Sequence, residues 1–559
     1  MKDEKRIILI PAIFLFLVLI FFSGLAKSFF QQDEWAIFGF LIYWGKAGLN
    51  WFQRLFVYEQ EVHILPFSNL LSYFQFKLFG LNFAPYAIFS ILLHSLNSFL
   101  VFYLSYLILK KKWLSFAVGL LFAVNSISHQ AVTWIATTTG TVNAAFFLLL
   151  SLIFFVRKNL ILSILMLVLS LGFKETSLFL FAFLPVFWLI FERKSSKKID
   201  LSEFKKIFIP LLVVGFLYFC LRILLVVNAP PSSAPPGTVS QPITPLVYLY
   251  RGLTIPLKAI SQSIIPAPLI LILARGLVIF AYPHFSPEGV PDPYVVESVA
   301  ADIVSYGLTT LILILSWFVF KYLKTLKEDN LSKSLIFSLS FIAFGSLPFI
   351  FIPGKAGYFS IFEPRHFYIL SVGSSLFLGL LIFAISKWLA KKRNQFLFVA
   401  ILILLVIFHG FKIRADIKTQ VKIGELRRSI LTQISSAYPK LPEKVIFYTE
   451  SDKAFYGLPP EETILPFQSG FGQTLLVWYN NQGEEFPACF FKEKFLYVLL
   501  SEDYKFCQGR GFGYFRKFEL LTKALEENNL PKESVIAFSY NSTNQSLTDI
   551  TLKIRNQLK

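Results

Sequence analysis

Charged residues are scarce in this sequence. They occupy 16 % of the 559 positions, whereas about 25 % is ordinary for a soluble globular domain. Acidic residues are the scarcer sign, with 34 Asp and Glu against 53 Lys and Arg. Apolar residues make up 55 % of the chain, and 65 residues are Phe. This composition excludes an ordinary soluble protein and predicts a chain that crosses a membrane repeatedly.

Cysteine is also rare, with three residues in the whole chain. Cys220 lies in an apolar run, where we expect it to pack against its neighbours. Cys489 and Cys507 lie in the more polar C-terminal region. In an oxidising compartment these two can form a disulfide, and two free thiols are the alternative.

Long apolar runs dominate the first 411 residues. A membrane span needs roughly 20 such residues, and the runs predict about eleven spans, at 7–26, 84–109, 113–128, 131–156, 159–173, 176–191, 207–227, 302–323, 334–352, 366–386 and 395–411. The first run is interpreted as a retained span, with a cleaved signal as the alternative. The stretch 246–282 is interrupted by Pro, Lys and Arg, so it predicts a re-entrant or interfacial pair, or two further spans.

Clusters of Lys and Arg indicate the orientation of these spans. They lie at the N-terminus, 110–112, 157–158, 192–198, 321–327 and 387–393. With eleven spans all of them fall on one side, which the positive-inside rule makes cytoplasmic. The active face and the C-terminal region are then extracytoplasmic, in a multi-pass plasma-membrane protein. These anchors also explain the net charge of +19, so no nucleic-acid partner is expected.

The character of the sequence changes after about residue 411. The stretch 416–438 has apolar residues at helical spacing, which predicts an amphipathic helix. Short β-rich runs at 444–450, 473–479, 494–500 and 534–540 predict strands. The fold class is therefore an α-helical polytopic membrane protein, with a membrane domain over 1–411 and an extracytoplasmic α/β domain over 412–559.

Two adjacent carboxylates, Asp33 and Glu34, follow the first apolar run. The segment after them carries Trp35 and Trp44, which predicts a helix lying at the membrane boundary. A carboxylate that is partly removed from water there is suited to act as a general base. Taken alone, such a pair is more often an ordinary polar helix end.

Further ionisable residues recur on the same predicted face. They are His63, His129, Lys174, Glu175, Arg365 and His366. Charged groups at membrane depth are costly and usually face the protein interior or a cavity. An ordinary structural role is the alternative for several of them, such as a helix-end ion pair for Lys174 and Glu175. His94 lies in the middle of a run and is interpreted as an interhelical hydrogen-bonding residue.

The order of these motifs resembles the membrane-embedded GT-C glycosyltransferases, and especially the branch of protein O-mannosyltransferases and bacterial lipopolysaccharide glycosyltransferases. The resemblance covers about residues 1–410. It rests on "DE" (33–34) after the first span, "HILP" (63–66), "HQAVTWIA" (129–136), "KET" (174–176) and "PRHFYILSVG" (364–373). Each motif is short, so their order and sidedness carry the similarity.

The resemblance implies an inverting enzyme that moves a hexosyl or pentosyl group from a polyprenyl-phosphate-linked donor to an acceptor hydroxyl on a glycan, lipid or protein. Asp33 would be the catalytic base, with Glu34 and His63 orienting the acceptor. Lys174 and Arg365 would bind the donor phosphate, and His129, Glu175 and His366 would line the site. A second acidic loop residue of some relatives is absent, so a divalent metal stays open and no metal ligand is assigned.

Two other function classes fit a chain of this composition. A transporter or flippase of lipid-linked saccharides often has paired broken spans and charges at the middle of the membrane. Here the ionisable residues gather at the outer ends of the spans, which favours the enzyme. A polysaccharide ligase or polymerase would normally have a late outside loop rich in Arg, and the loop 353–365 contains only Lys355 and Arg365.

Overall fold

The structure is a computed structural model. It describes residues 2–31, 33–56, 65–192, 201–227, 244–281, 293–351, 360–390, 394–453, 463–467, 470–492, 495–496 and 502–558. His63, the Pro-rich stretch 228–243 and most of the predicted strand at 494–500 lie outside these ranges.

Helices make up most of the described chain. The first eleven are α1 Lys2–Phe21, α2 Asp33–Lys46, α3 Trp51–Phe56, α4 Pro66–Phe79, α5 Phe83–Leu109, α6 Lys112–Ala123, α7 Gln130–Thr133, α8 Ile135–Thr137, α9 Asn143–Val156, α10 Leu160–Phe173 and α11 Leu180–Glu192. The next seven are α12 Leu201–Val227, α13 Pro245–Gln262, α14 Ala267–Ala281, α15 Pro293–Thr325, α16 Asp329–Gly345, α17 Phe367–Ala390 and α18 Asn394–Ala437.

Helix length and hydropathy bear directly on the predicted spans. Seven helices in the described ranges are long and apolar enough to cross a membrane, or eight if a bent pair counts as one. The other four predicted runs correspond to shorter apolar helices, Leu9–Phe21, Lys112–Ala123, Leu160–Phe173 and Glu175–Phe191. A mostly helical chain is thus confirmed and is compatible with a membrane protein, whereas eleven full spans stay a prediction.

Helix α5 lies at the centre of the helical part. It packs against α1, α6 and α9, while α17 packs against α6, α16 and α18. His94 of α5 donates from Nε2 to the Ala123 carbonyl at 3.0 Å, so its Nδ1 accepts from the Tyr368 hydroxyl of α17 at 2.8 Å. Asn97 donates to the same hydroxyl at 3.1 Å and to the Val142 carbonyl at 2.9 Å. The interhelical role predicted for His94 is confirmed.

The interrupted stretch near 246–282 forms the helix pair α13 and α14. The two helices meet at an angle of 110° across a short break, which agrees with a re-entrant or broken pair rather than two straight spans. Buried polar groups hold α13 in place: Lys258 Nζ lies 3.0 Å from Asp302 of α15, and Arg251 donates to the Ile350 carbonyl at 3.1 Å. Charges removed from water in this way need such partners.

The C-terminal region forms the predicted α/β domain. Its strands are β1 Lys444–Ser451, β2 Asp503–Cys507, β3 Arg510–Phe515, β4 Val535–Asn541 and β5 Ser546–Asp549, and its helices are α19 Phe471–Asn481, α20 Phe518–Glu527 and α21 Thr551–Gln557. The sheet order is β2-β3-β1-β4-β5. β1 pairs in parallel with β3 and β4, and the two outer pairs are antiparallel.

One predicted strand is wrong. The run 473–479 lies within helix α19, which is buried along most of its length between α2 and β3. An apolar run of this length is ambiguous, because a fully buried helix and a fully buried strand lack a polar face alike. By contrast, the strands predicted at 444–450 and 534–540 are confirmed as β1 and β4.

Helix α18 joins the two parts of the molecule without a break. It has 44 residues and a length of about 65 Å, and it includes both the last apolar run and the amphipathic stretch predicted at 416–438. The boundary placed between residues 411 and 412 lies inside this helix. The C-terminal domain is thereby attached to the helical part by a continuous rod rather than by a linker.

The C-terminal domain packs directly on helix α2. Trp35 and Trp44 of α2 are 1 % and 6 % exposed, so these two rings pack within the protein rather than serving as membrane anchors. The position of α2 at a membrane boundary stays a prediction. At Gly39 a Cβ atom would lie 2.6 Å from Leu496 Cδ1, so the absence of a side chain lets Leu496 pack directly on α2. Most of helix α2 is buried, in part by the C-terminal domain. This explains why apolar residues occur on all of its faces.

Cys489 and Cys507 form a disulfide, which decides between the two alternatives left open above. The bond joins the turn Ala488–Phe491 to strand β2, at the edge of the sheet. Cys220 of α12 is a free thiol.

Replacing Cys489 by Ser should destabilise the C-terminal domain by about 3 kcal/mol, because the bond closes an 18-residue loop and restricts the unfolded chain. The measurement is proteolysis of the C-terminal region across a urea series, on the purified full chain. Cys220→Ser is the matched control and should leave the midpoint unchanged. Equal midpoints for the two variants would contradict a stabilising role.

Candidate active site

Asp33 is the first residue of helix α2, and its side chain faces Arg365. Asp33 Oδ2 lies 3.7 Å from Arg365 Nη1, and the Asp33 side chain is 49 % exposed. The other guanidinium nitrogen, Nη2, lies 2.6 Å from Glu363 Oε2. Arg365 therefore bridges two carboxylates, one on α2 and one in the segment that precedes α17.

Glu34 points in the opposite direction and is 2 % exposed. Its Oε2 accepts hydrogen bonds from the Gln31 backbone and from the Trp134 indole N–H, both at 3.2 Å. Its Oε1 accepts from the Ala136 backbone at 3.3 Å. The carboxylate thus fastens the start of α2 to the segment around α7 and α8.

Trp134 closes a ring of contacts around the site. The Arg365 guanidinium lies over the Trp134 ring, 4.2 Å from its centroid, where the cation meets the negative face of the ring. The ring of contacts therefore runs from Glu34 to Trp134, to Arg365, to Asp33 and back along the chain to Glu34. Each member limits the position of the next.

Lys174 is the second cation of the site. The charges of Asp33 and Arg365 both act on its ammonium group. Its side chain passes close to Gly140, where a Cβ atom would lie 3.3 Å from Lys174 Cδ. Gly140 belongs to a single π-helical turn, Thr138–Val142, and such turns are frequent at functional sites. The small residue in this turn gives the lysine room to approach the site.

The environment shifts the pKa values of these groups. Burial raises the pKa of Asp33 above its usual 3.8, and Arg365 opposes the shift while Glu363 adds to it. Burial likewise raises the pKa of Glu34, although its backbone hydrogen bonds oppose this. Burial lowers the pKa of Lys174, and neighbouring Glu175 opposes that change. Asp33 is therefore a stronger base than an ordinary aspartate, and Lys174 would gain from a bound anion.

His129 was predicted to line the site, and it makes a different set of contacts. Its Nδ1 donates to the Ser126 carbonyl at 2.7 Å, and its Nε2 lies 3.3 Å from Asp416 of α18. Burial lowers the pKa of the His129 imidazole. The structure thus places His129 as a connection between the α6–α7 segment and the long helix.

Glu175 and His366, also predicted to line the site, have partners of their own. Glu175 is 8 % exposed and lies 3.8 Å from Arg222 of α12. The His366 ring packs against Phe349 at a centroid distance of 5.5 Å, and its backbone N–H donates to the Glu363 carbonyl. His63 lies outside the described residues, so its predicted role stays a prediction.

Three residues of the site were not singled out from the sequence. Glu363 stands two positions before Arg365, and Trp134 lies inside the quoted motif "HQAVTWIA". Gln262 of α13 holds the segment that carries Glu363: it donates to the Ser360 carbonyl at 2.6 Å and accepts from the Phe362 N–H at 3.0 Å. Glu363 could have been found from the sequence, because it lies only two positions from Arg365. By contrast, nothing in the sequence pairs Gln262 with residue 362.

Within the ranges that the structure describes, no group of three or more His, Cys, Asp or Glu side chains could hold a metal ion. Comparison of the whole chain with known protein families and with curated proteins finds no match. The chemistry of the site's own residues therefore indicates what the site can do. It offers the accessible Asp33 carboxylate, whose pKa is raised, together with the cations Arg365 and Lys174. The carboxylate can accept a proton, and the cations can attract an anion.

The Glu34→Gln variant should weaken the ring of contacts. The backbone N–H groups of Gln31 and Ala136 and the Trp134 indole N–H face the Glu34 oxygens, so at least one donor would meet the new amide N–H₂ instead of an acceptor. We expect a loss of about 1–3 kcal/mol in the free energy of unfolding, the usual cost of an unsatisfied buried group. Thermal unfolding of the purified chain measures it.

Glu425→Gln is the matched control, because Glu425 is an exposed residue of α18. It should unfold like the wild type. If Glu34→Gln also unfolded like the wild type, Glu34 would not hold the site together.

Proposed function

We propose that this chain is a membrane glycosyltransferase that moves a sugar from a polyprenyl-phosphate-linked donor to an acceptor hydroxyl. The observation that carries the proposal is the position of Asp33. Its half-exposed carboxylate lies at the end of an apolar helical bundle, 3.7 Å from Arg365, and within the electrostatic reach of Lys174. A base beside two cations is what a hydroxyl nucleophile and a phosphate leaving group need.

In the proposed step Asp33 accepts the proton of the acceptor hydroxyl. The oxygen then bonds to the anomeric carbon on the face opposite the phosphate, and the bond between that carbon and the phosphate oxygen breaks. Polyprenyl phosphate leaves with the electron pair, so the configuration at the anomeric carbon inverts. The raised pKa of Asp33 makes it a better proton acceptor than an ordinary aspartate.

Arg365 and Lys174 would stabilise the charge that develops on the departing phosphate. Phosphate needs charge neutralisation more than it needs a proton, and a guanidinium matches its oxygens well. Arg365 is held by Trp134 and Glu363, so it would meet the transition state with little rearrangement. Pre-positioned charge of this kind is usually the largest contribution to such catalysis.

The site and the C-terminal domain would lie on the extracytoplasmic side. Lys and Arg clusters favour the opposite loops as cytoplasmic. The Cys489–Cys507 disulfide supports the same orientation, because such bonds persist in oxidising compartments.

Replacing Asp33 by Asn should lower the rate of transfer by about 10²–10⁴-fold, the usual contribution of a general base. The assay follows the release of free polyprenyl phosphate and glycosylated acceptor from purified protein and a panel of polyprenyl-phosphate sugars. Glu363→Gln is a control for the loss of a neighbouring carboxylate and should be affected less. Full activity of Asp33→Asn would overturn the base assignment, and no release by the wild type with any donor would overturn the transferase.

The pH dependence tests the pairing of Asp33 with Arg365. Activity should fall as the pH drops through the raised pKa of Asp33, because only the carboxylate form accepts a proton. Arg365 holds that pKa down, so Arg365→Gln should move the acidic limb of kcat/KM to higher pH. Arg365→Lys keeps the charge and should move the limb less. A limb that stays in place in Arg365→Gln would contradict the pairing.

A transporter or flippase of lipid-linked saccharides is the second candidate. The 110° bend between α13 and α14 favours it, together with the buried pair of Lys258 and Asp302, since transporters use broken spans and internal charges. Reconstitution into sealed vesicles separates the two functions. Movement of the lipid-linked sugar without cleavage of its phosphate bond would support the transporter, and release of polyprenyl phosphate would support the transferase.

A further inference from the structure

An open groove lies where the helical part meets the C-terminal domain. Its volume is about 460 Å³, within the roughly 300–1,000 Å³ of small-molecule sites. One wall comes from Phe79 at the end of α4 and the turn that follows it, and the other comes from Trp478 and Asn481 of α19. Phe29 and Arg428 of α18 complete the lining.

Contacts between α18, the Phe29 segment and α19 fix the walls of the groove. Phe29 is 2 % exposed, and its backbone N would lie 2.8 Å from a Cβ atom at Gly424, so α18 and the Phe29 segment are in close contact. The Phe29 and Trp478 rings meet edge to face at 6.2 Å. Trp478 donates from its indole N–H to Ser435 at 3.3 Å. The two domains therefore form one preformed surface here.

The groove combines aromatic rings with amide side chains. Trp478 is half-buried and Phe79 is 36 % exposed, so both present apolar surface to solvent. Asn82, Asn481 and Gln482 supply amide groups, which both donate and accept hydrogen bonds. The Arg428 guanidinium is exposed and lies over the Phe29 ring, 5.1 Å from its centroid.

We propose that this groove binds a saccharide. A sugar ring has positively polarised C–H groups on one face, which suit the negative face of an aromatic ring. Its hydroxyls both donate and accept, as amides do. A lipid tail would displace water from these exposed amides and from the Arg428 guanidinium without offering them hydrogen bonds, which is costly. The groove is lined by none of the residues assigned to the proposed reaction.

The first test is binding of purified full-length chain to an array of immobilised oligosaccharides that contain hexoses, N-acetylhexosamines, deoxyhexoses and uronic acids, with a peptide array beside it. We expect binding to at least one oligosaccharide and to no peptide. Preference for uronic acids would assign Arg428 to a sugar carboxylate, and binding to neutral sugars would assign it to hydroxyls. Binding to no oligosaccharide, or to peptides instead, would overturn the proposal.

Asn481→Trp places a bulky ring in the groove and should weaken binding of the best oligosaccharide by about tenfold or more. Asn556→Trp is the matched control, since Asn556 is also an exposed residue near the C-terminal end of a helix in the same domain. Phe79→Ala removes one aromatic wall and should weaken binding roughly fivefold. Wild-type affinity in Asn481→Trp would place the saccharide elsewhere and overturn the assignment.

Asp33→Asn separates this inference from the proposed reaction, because it should bind the oligosaccharide with wild-type affinity. Binding without any transfer would remove the proposed function and leave the groove assignment in place. Transfer by a chain that binds no oligosaccharide on the array would support the proposed function and overturn the groove assignment.

Discussion

The buried carboxylate of Glu34 is the interaction on which the site depends. It is 2 % exposed and accepts hydrogen bonds from Gln31, Trp134 and Ala136. A buried charge is tolerated only where it is fully partnered. Because those partners come from two separate segments, the start of α2 and the region around α8 are held in one arrangement, and Asp33 is placed beside Arg365 as a result.

The same constraint explains why Asp33 and Glu34 differ although they are neighbours. Asp33 is the first residue of α2, where the helix N-terminus favours a negative charge, and its side chain stays half exposed. Glu34 turns inward and is fully engaged. One carboxylate is therefore accessible, whereas the other is enclosed and holds two segments of the chain together. The acceptor-orienting role expected for Glu34 stays a prediction. Trp134 connects them, since it donates to Glu34 and lies beneath Arg365.

The C-terminal domain belongs to the architecture of the site because it covers α2. Leu496 packs against Gly39, and α19 lies along the same helix. Helix α18 carries the domain, and Gln420 of that helix donates to the Thr133 carbonyl at 2.8 Å, next to Trp134. Together with the contact between His129 and Asp416, this fixes the domain relative to the end of the helical bundle that carries Asp33. The saccharide groove proposed at the junction is a consequence of that placement.

The sequence by itself determined the helical class, the apolar runs, strands β1 and β4, and the candidate residues Asp33, Lys174 and Arg365. These follow from local composition and from residue types, which a single chain displays directly. Only the tertiary structure decided that 473–479 is a buried helix, that Trp35 and Trp44 are covered by protein, and that His129 faces α18. It also revealed Glu363, Trp134 and Gln262 as members or supports of the site. Those outcomes depend on contacts between residues far apart in the chain, and periodicity contains no information about them.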